Sequence, residues 1–429
     1  MPIVKITFRD LEKAFAVFTL LLLSDALALR SVFVPPEGSG AFDLTSPFDR
    51  GIALAQYGVL VVVVVGLGAQ WRQTLKTLWR NALIPLFAVL CVSSIHWSDF
   101  PEVTMRSSFL FASTTAFGIY LALRFTIQEQ IQLLTITMGL AGTVSLLLGG
   151  VMPGAAIENN GLRQGSWRGI FYHKNNLGMY MYLGATAALL TTQTLRLKWQ
   201  RLLAWGTVLV NVLLIVLSAS KTALLVFLIL LGLIPYCRVM RWRSRYLIPL
   251  LTFGILVLGS AAVWFMGNYE FILSQFGKDP TFSGRTDIWW AVWRSALERP
   301  WLGYGYDAFW VEDVGRCVGE CSYVRAAIHF DASSAHNGYL DLLVSLGFVG
   351  VMTFGVGLAA AYHRSLLRVI RSRQPADCWP FLLLISLILY TQSESAIFNT
   401  RSLVWALYIG VALAPALESL PPRRLSLRR

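Results

Sequence analysis

Uninterrupted apolar stretches of about twenty residues recur along almost the whole chain, and this constrains the fold more than any other feature. Twenty helical residues rise about 30 Å, the thickness of bilayer hydrocarbon. We read about twelve such runs, at roughly 14–33, 51–69, 82–97, 104–123, 131–152, 176–194, 202–218, 221–237, 246–266, 336–361, 379–392 and 403–419. They are continuous, without the alternation of barrel strands, so their backbone polar groups are expected to pair within helices. Only 14% of the 429 residues are charged and the mean hydropathy is +0.59, where a soluble chain carries about a quarter charged residues. The first run lacks a small-residue cleavage site and continues into Arg30 and Pro35-Pro36, so it is expected to stay as a span. The fold class expected is an all-α, multi-pass membrane protein.

The basic residues orient it. With a cytosolic N-terminus, most of the 36 Lys and Arg fall on inner loops, among them Lys5, Arg9, Lys13, Arg72, Lys76, Arg80, Arg124, Arg196, Lys198, Arg201, Arg238, Arg364, Arg368 and the tail Arg423–Arg429. That agrees with the positive-inside rule. The net charge of +13 is then explained by topology and anionic headgroups, without nucleic acid. Residues 1–266 read as nine spans, 267–335 as one long outer loop, and 336–429 as three further spans with a basic tail.

The cations on the outer side are the informative ones: Arg163, Arg168, Lys174, Lys221, Arg285, Arg294, Arg299, Arg316 and Arg325. Cations held at the outer membrane surface need partners. An anionic substrate is one solution, and a diphosphate suits the planar guanidinium fork. Ser283 can cap a helix that starts with Gly284-Arg285 and ends at Pro300, which sets Arg285 at an anion-attracting N-terminus. Trp289 and Trp293 stripe that helix, either as an interfacial anchor or as a sugar-stacking surface. The Pro300–Trp310 stretch, with Trp301 and Tyr304, is aromatic and Gly-rich in a way that suits a glycan. His336 lies where the tenth run enters the membrane, placed to take a proton from a hydroxyl or simply to hydrogen-bond at the interface. Asp331 is a candidate to orient it. Lys174 follows a polar, Gly-bearing segment expected to line a wet cavity. Lys221 sits in a short hairpin, and Glu394 is a candidate partner for one of the cations. Of five cysteines, Cys317 and Cys321 can close a disulfide in the outer loop, and Cys91 and Cys378 read as buried. No metal pattern emerges.

Three elements together resemble the bacterial O-antigen ligase and polysaccharide polymerase superfamily. Gly284-Arg285-Thr286-Asp287-Ile288-Trp289 matches its Gly-Arg-x-x-x-Trp element. His336-Asn337-Gly338-Tyr339-Leu340 followed by Gly347 matches its His-(Ser/Asn)-x-x-Leu-x6-Gly element. The third is the outer Arg-bearing segment with His173-Lys174-Asn175-Asn176. The wording of Phe171–Gly178 is most similar to the exopolysaccharide-polymerase branch (the ExoQ type).

The resemblance implies a GT-C-like, metal-independent and inverting glycosyltransferase of the bacterial inner membrane, working on the periplasmic side without a cofactor. Its donor would be a glycan on polyprenyl diphosphate. Its acceptor would be the terminal sugar of a second lipid-linked repeat or, in a ligase, lipid A-core. Other polysaccharide-assembly proteins would be partners. His336 would be the base. Arg285, Arg168 and Lys174, with Arg163 and Lys221, would stabilise the departing diphosphate, although Lys221 replaces the Arg usual in related ligases. A transporter of lipid-linked glycans is the alternative from another class; it should show repeated halves and charges near the membrane centre.

Overall fold

The computed structural model describes residues 7–28, 47–158, 164–239, 247–274, 285–311, 334–372 and 374–414. Cys317, Cys321, Asp331, Arg163, Arg316 and Arg325 lie outside them. Among the described residues the chain is helical, with no strand and one isolated bridge between Ile157 and Trp167. In chain order the helices are α1 (Phe8–Leu23), α2 (Pro47–Ala69), α3 (Trp71–Arg80), α4 (Leu83–Ser93), α5 (Pro101–Arg124), α6 (Ile127–Val151) and α7 (Lys174–Thr192). There follow α8 (Lys198–Leu217), α9 (Lys221–Val239), α10 (Leu247–Ser274), α11 (Arg285–Glu298), α12 (Gly338–Arg371), α13 (Trp379–Tyr390) and α14 (Leu403–Ala412).

Among the described residues, four helical segments are long and apolar enough to cross a membrane: Arg50–Ala69, Ile127–Val151, Lys198–Leu217 and Gly338–Arg371. A fifth is added if α3 and α4, bent by 90° at their junction, count as one span. The other apolar runs form helices of a different character. In α5 the buried Thr104, Ser107, Ser108, Thr114 and Thr115 lower the hydropathy of a 24-residue helix. α13 and α14 are only 12 and 10 residues long, and nearly every residue in them is buried. A helix apolar all round that lies inside protein is a core helix. Hydropathy alone cannot tell such a helix from a lipid-facing one, and here Trp379, Phe381, Trp405 and Tyr408 fill the centre of the bundle.

One end of this bundle is fastened by ions. Thr126 caps α6 with Glu129 in a reciprocal capping box. Glu129 accepts from Arg9 at 2.7 Å, and Arg9 also reaches Glu12 at 2.6 Å. Glu12, buried, accepts from Tyr120 at 2.8 Å and from Arg124 at 2.5 Å. α1, α5 and α6 are thereby joined at the end from which α6 rises. The other end of α6 meets the polar segment before α7, where a methyl added at Gly149 would lie 2.0 Å from the Trp167 ring.

α11 and the following turn form a smaller second core on α12, from Ile288, Val292, Ala296, Tyr304, Phe309, Leu343 and Val344. The join is made by backbone. α12 is broken at Gly347, whose φ of 62° and ψ of −165° are open essentially to glycine alone. The break frees peptide groups that the turn then takes up. Phe348 donates to the Pro300 carbonyl at 2.7 Å and Val349 to that of Trp301 at 3.2 Å. In return Tyr304 donates to Val344 at 2.8 Å and Gly305 to Ser345 at 3.0 Å. A methyl on Gly347 would stand 2.3 Å from the Trp301 carbonyl. Gly347→Ala is therefore expected to cost about 3 kcal/mol or more, from forbidden backbone and overpacking together. Thermal unfolding in detergent checks this, with Gly355→Ala, where nothing lies within 4 Å, as the reference. An unchanged melting temperature in Gly347→Ala would remove the account of this kink.

Candidate functional site

His336 occupies a strained backbone position just outside α12, with φ of 48°. A side chain costs roughly 1–2 kcal/mol there, and such strain gathers where surrounding structure holds a group for use. The surroundings are visible. Asn337 caps α12 by accepting from the amides of Tyr339 and Leu340. The Ala335 amide donates to Asp341 Oδ1 at 3.0 Å, and the Ala335 carbonyl accepts from Trp289 Nε1 at 2.8 Å. The imidazole thus sits between two fixed neighbours.

Its ring is poised toward Glu394. His336 Nδ1 is buried and lies 3.6 Å from Glu394 Oε2, ion-pair range and outside direct hydrogen-bond length. The side chain as a whole is 36% exposed. Glu394 is itself fixed, because Asn175 Nδ2 donates to its Oε1 at 2.5 Å and Tyr390 Oη donates to the Asn175 carbonyl at 2.8 Å. Glu394 was expected as a partner for a cation. It contacts the histidine and Asn175, the latter a pairing that no local pattern announces.

The turn at 390–395 is a meeting point. The Gly338 amide at the start of α12 donates to the Thr391 carbonyl at 2.8 Å. Ser393 Oγ donates to Thr222 Oγ1, in the first turn of α9, at 3.3 Å. Asn175 brings the first turn of α7 to Glu394. The first turns of α7 and α9 also abut directly, since a methyl on Gly178 would lie 2.8 Å from Ala223. α11 joins through Trp289 and Ala335, one turn after Arg285. Four helix N-termini therefore surround the His336–Glu394 pair. Lys174, Lys221 and Arg285 are the first residues of three of them. Helix N-termini carry a partial positive charge, so this arrangement favours an anion, with the first amides of α7 and α12 already paired.

The expected site residues divide accordingly. Lys174 Nζ donates to Ser166 Oγ at 3.4 Å, while its amide donates to Glu158 at 3.3 Å. Lys221 is exposed on a hairpin turned by Ala219 at φ of 50°. Arg285 is placed by its backbone at the head of α11. Arg168 is only 8% exposed and donates from Nε to the Ala155 carbonyl at 3.0 Å, so it also braces the segment that leads into α7. Trp293 and Trp301 are exposed, and Trp301 meets Phe348 edge-on. Tyr304 differs from the glycan-contacting role expected of it. It is buried in the second core, its hydroxyl donates to the Ser295 carbonyl at 3.0 Å, and Arg299 covers its ring at 4.5 Å. Cys91 and Cys378 are buried as expected.

Known proteins resemble this chain in sequence. Residues 206–355, which include Arg285, His336 and Gly347, match the O-antigen ligase family. The chain is 28% identical over 355 residues to the exopolysaccharide production protein ExoQ of Rhizobium meliloti (strain 1021), covering 80% of this chain and 76% of that protein. It is 27% identical over 192 residues to the general O-oligosaccharyltransferase of Acinetobacter baylyi (strain ATCC 33305 / BD413 / ADP1), covering 42% of this chain and 32% of that one. In its motif residues and in these relatives the chain resembles the O-antigen ligase and polysaccharide polymerase superfamily, a family of glycosyltransferases.

Proposed function

We propose that the protein polymerises oligosaccharide repeat units carried on polyprenyl diphosphate, on the periplasmic face of a bacterial inner membrane, to build an exopolysaccharide. The observation that carries this reading is the convergence of four helix N-termini, three of them headed by Lys174, Lys221 and Arg285, around His336 and Glu394. The acceptor hydroxyl would attack the anomeric carbon of the donor while His336 Nε2 takes its proton. The bond from that carbon to the diphosphate oxygen breaks, and the polyprenyl diphosphate leaves with the electron pair. The helix ends and their cations would stabilise the charge that develops on it, the task a metal ion has in other transferases. One direct displacement inverts the anomeric carbon.

Glu394 would act on the other side of the ring. A carboxylate near Nδ1 favours the tautomer with its proton there and leaves Nε2 to accept. Trp293 and Trp301 offer exposed ring faces for sugars. Arg168 belongs to the segment that leads into α7 beside Lys174. The extent of the likeness to ExoQ, along 80% of the chain, favours polymerase over ligase. The ligase reading draws on the match to the O-oligosaccharyltransferase.

The test uses purified protein in lipid with a synthetic polyprenyl-diphosphate oligosaccharide as the only substrate. A ladder of products spaced by whole repeat units, with release of polyprenyl diphosphate, is the expected result. Transfer that begins only when lipid A-core is added would replace the polymerase with a ligase. No transfer to either acceptor would overturn the reading.

A further inference from the structure

We propose that Asp307 binds hydroxyls of the acceptor sugar, on the side of His336 away from Lys174 and Lys221. The inference rests on the glycosyl-transfer reading above and assigns the acceptor its place within it. Three residues of the turn that packs on α12 have left-handed backbone: Gly303 at φ of 64°, Gly305 at 102° and Asp307 at 62°. Glycine adopts this conformation freely, other residues at a cost. At the first two positions there is no room for a side chain. A methyl would lie 2.4 Å from the Val344 carbonyl at Gly303, and 2.6 Å from the Ser98 side chain at Gly305. At the third the chain carries a carboxylate. Its neighbours Tyr306 and Ala308 are buried, while Asp307 itself is exposed. Among the described residues its hydrogen-bond partner is Ser107 of α5, whose Oγ donates to Oδ2 at 2.6 Å. Desolvation, together with repulsion from Asp341, outweighs that bond and holds the carboxyl above the ordinary carboxylate range. A side chain that is open and yet desolvated lies in a recess. Backbone strain, desolvation and like charge all oppose an acid here, and acids held against such terms gather where ligands bind.

The recess borders the reacting centre. Tyr306 Oη donates to the carbonyl of Phe398, four residues beyond Glu394, at 2.7 Å. Trp310 Nε1 donates to Asp341, which also accepts from the Ala335 amide next to His336. Asp307 stands between these two anchors. It is fastened to α5, which packs on α4 and α14, whereas Lys174 and Lys221 head α7 and α9, which pack on one another. The His336–Glu394 pair therefore has cationic helix ends on one side, through Asn175, and the Asp307 turn on the other, through Asp341. An inverting displacement needs this polarity, because the attacking hydroxyl and the leaving diphosphate occupy opposite faces of the anomeric carbon. A carboxylate repels the diphosphate, so its side suits the incoming neutral sugar. It offers about four acceptor positions. Ser107 fills one, and neighbouring sugar hydroxyls can donate to the others.

The test uses the full chain in lipid. The donor is the polyprenyl-diphosphate oligosaccharide, and the acceptor is the oligosaccharide freed from it by mild acid and labelled at its reducing end. Initial rates of transfer onto the label are taken with each substrate varied in turn. In Asp307→Asn the acceptor KM should rise by a factor on the order of 10–100, the usual strength of hydrogen bonds to a charged group, with kcat and donor KM within about threefold of wild type. Asp307→Gly should show the same rise and melt above the wild type, because glycine is at ease at φ of 62°. An unchanged acceptor KM in both variants, with the wild type active, would overturn the proposal and leave the transfer reading standing. A fall in kcat at unchanged acceptor KM would overturn it as well, by placing Asp307 in the chemistry. Equal rises in both KM values with a lower melting temperature would reduce Asp307 to a structural part. A wild type that builds the ladder from donor alone, but neither uses nor is thermally stabilised by the freed oligosaccharide, has no such acceptor pocket, and the proposal falls. A wild type that transfers nothing overturns the transfer reading and this proposal together.

Discussion

His336→Ala should lower glycan transfer by a factor on the order of 10²–10⁴, the usual contribution of a positioned general base, while the protein inserts and melts as the wild type does. The geometry makes the prediction sharper than a simple deletion. His336 has φ of 48°, a region where asparagine is tolerated better than most side chains and glycine is at ease. His336→Asn therefore keeps the backbone and removes the base. His336→Gly should relieve roughly 1 kcal/mol of strain and raise the melting temperature as it abolishes transfer. A purely structural histidine would show the opposite correlation, with activity following stability. The measurement pairs initial rates on the polyprenyl-diphosphate oligosaccharide with melting temperatures for the three variants. Transfer at the wild-type rate in His336→Asn would remove His336 from the chemistry.

Much of this arrangement can be read from the residues, and the part that cannot has a common cause. Local patterns carried far. Apolar runs locate helices, Pro300 stops α11 as its lack of a backbone donor requires, and Arg285 and His336 stand at helix starts where the motifs place them. What escaped are contacts between distant segments. Asn175 and Glu394 are 219 residues apart, and no local pattern relates them. Asp341 hides in an apolar run, where a single carboxylate looks like an interruption. Burial escaped for the same reason, because hydropathy is a property of a segment and its surroundings are not. The runs of α13 and α14 are apolar because they fill the centre of the bundle. Tyr304 shares the composition of its exposed neighbours, yet Gly303, at φ of 64°, turns the chain so that the ring faces inward.

Asp341→Ala is expected to impair the protein more broadly than any change at His336, lowering stability by on the order of 3 kcal/mol and transfer by about a hundredfold. The reason is that one buried carboxylate ties together three segments. Its Oδ1 accepts from the Ala335 amide at 3.0 Å and from Trp310 Nε1 at 2.8 Å, and its Oδ2 accepts from Ser395 Oγ. Ala335 immediately precedes His336, Ser395 immediately follows Glu394, and Trp310 ends the turn that packs on the α12 kink. Alanine would strand donors on all three, at about 1–3 kcal/mol for each buried group left unsatisfied, with partial relaxation among them. The loss of activity has a separate origin. The neighbours of His336 and Glu394, which approach to 3.6 Å, are both held to this side chain, and a displacement of about 1 Å between reacting groups can cost a hundredfold. Asp341→Asn separates the two effects. Its carbonyl oxygen can keep the Ala335 and Trp310 bonds, and the Ser395 hydroxyl can turn to accept from the new amide, so most of the stability and much of the rate should return. Melting curves and initial rates for the two variants decide the matter. If Asp341→Ala melts with the wild type and transfers glycan at its rate, the three segments are held by something else, and the site does not depend on this carboxylate.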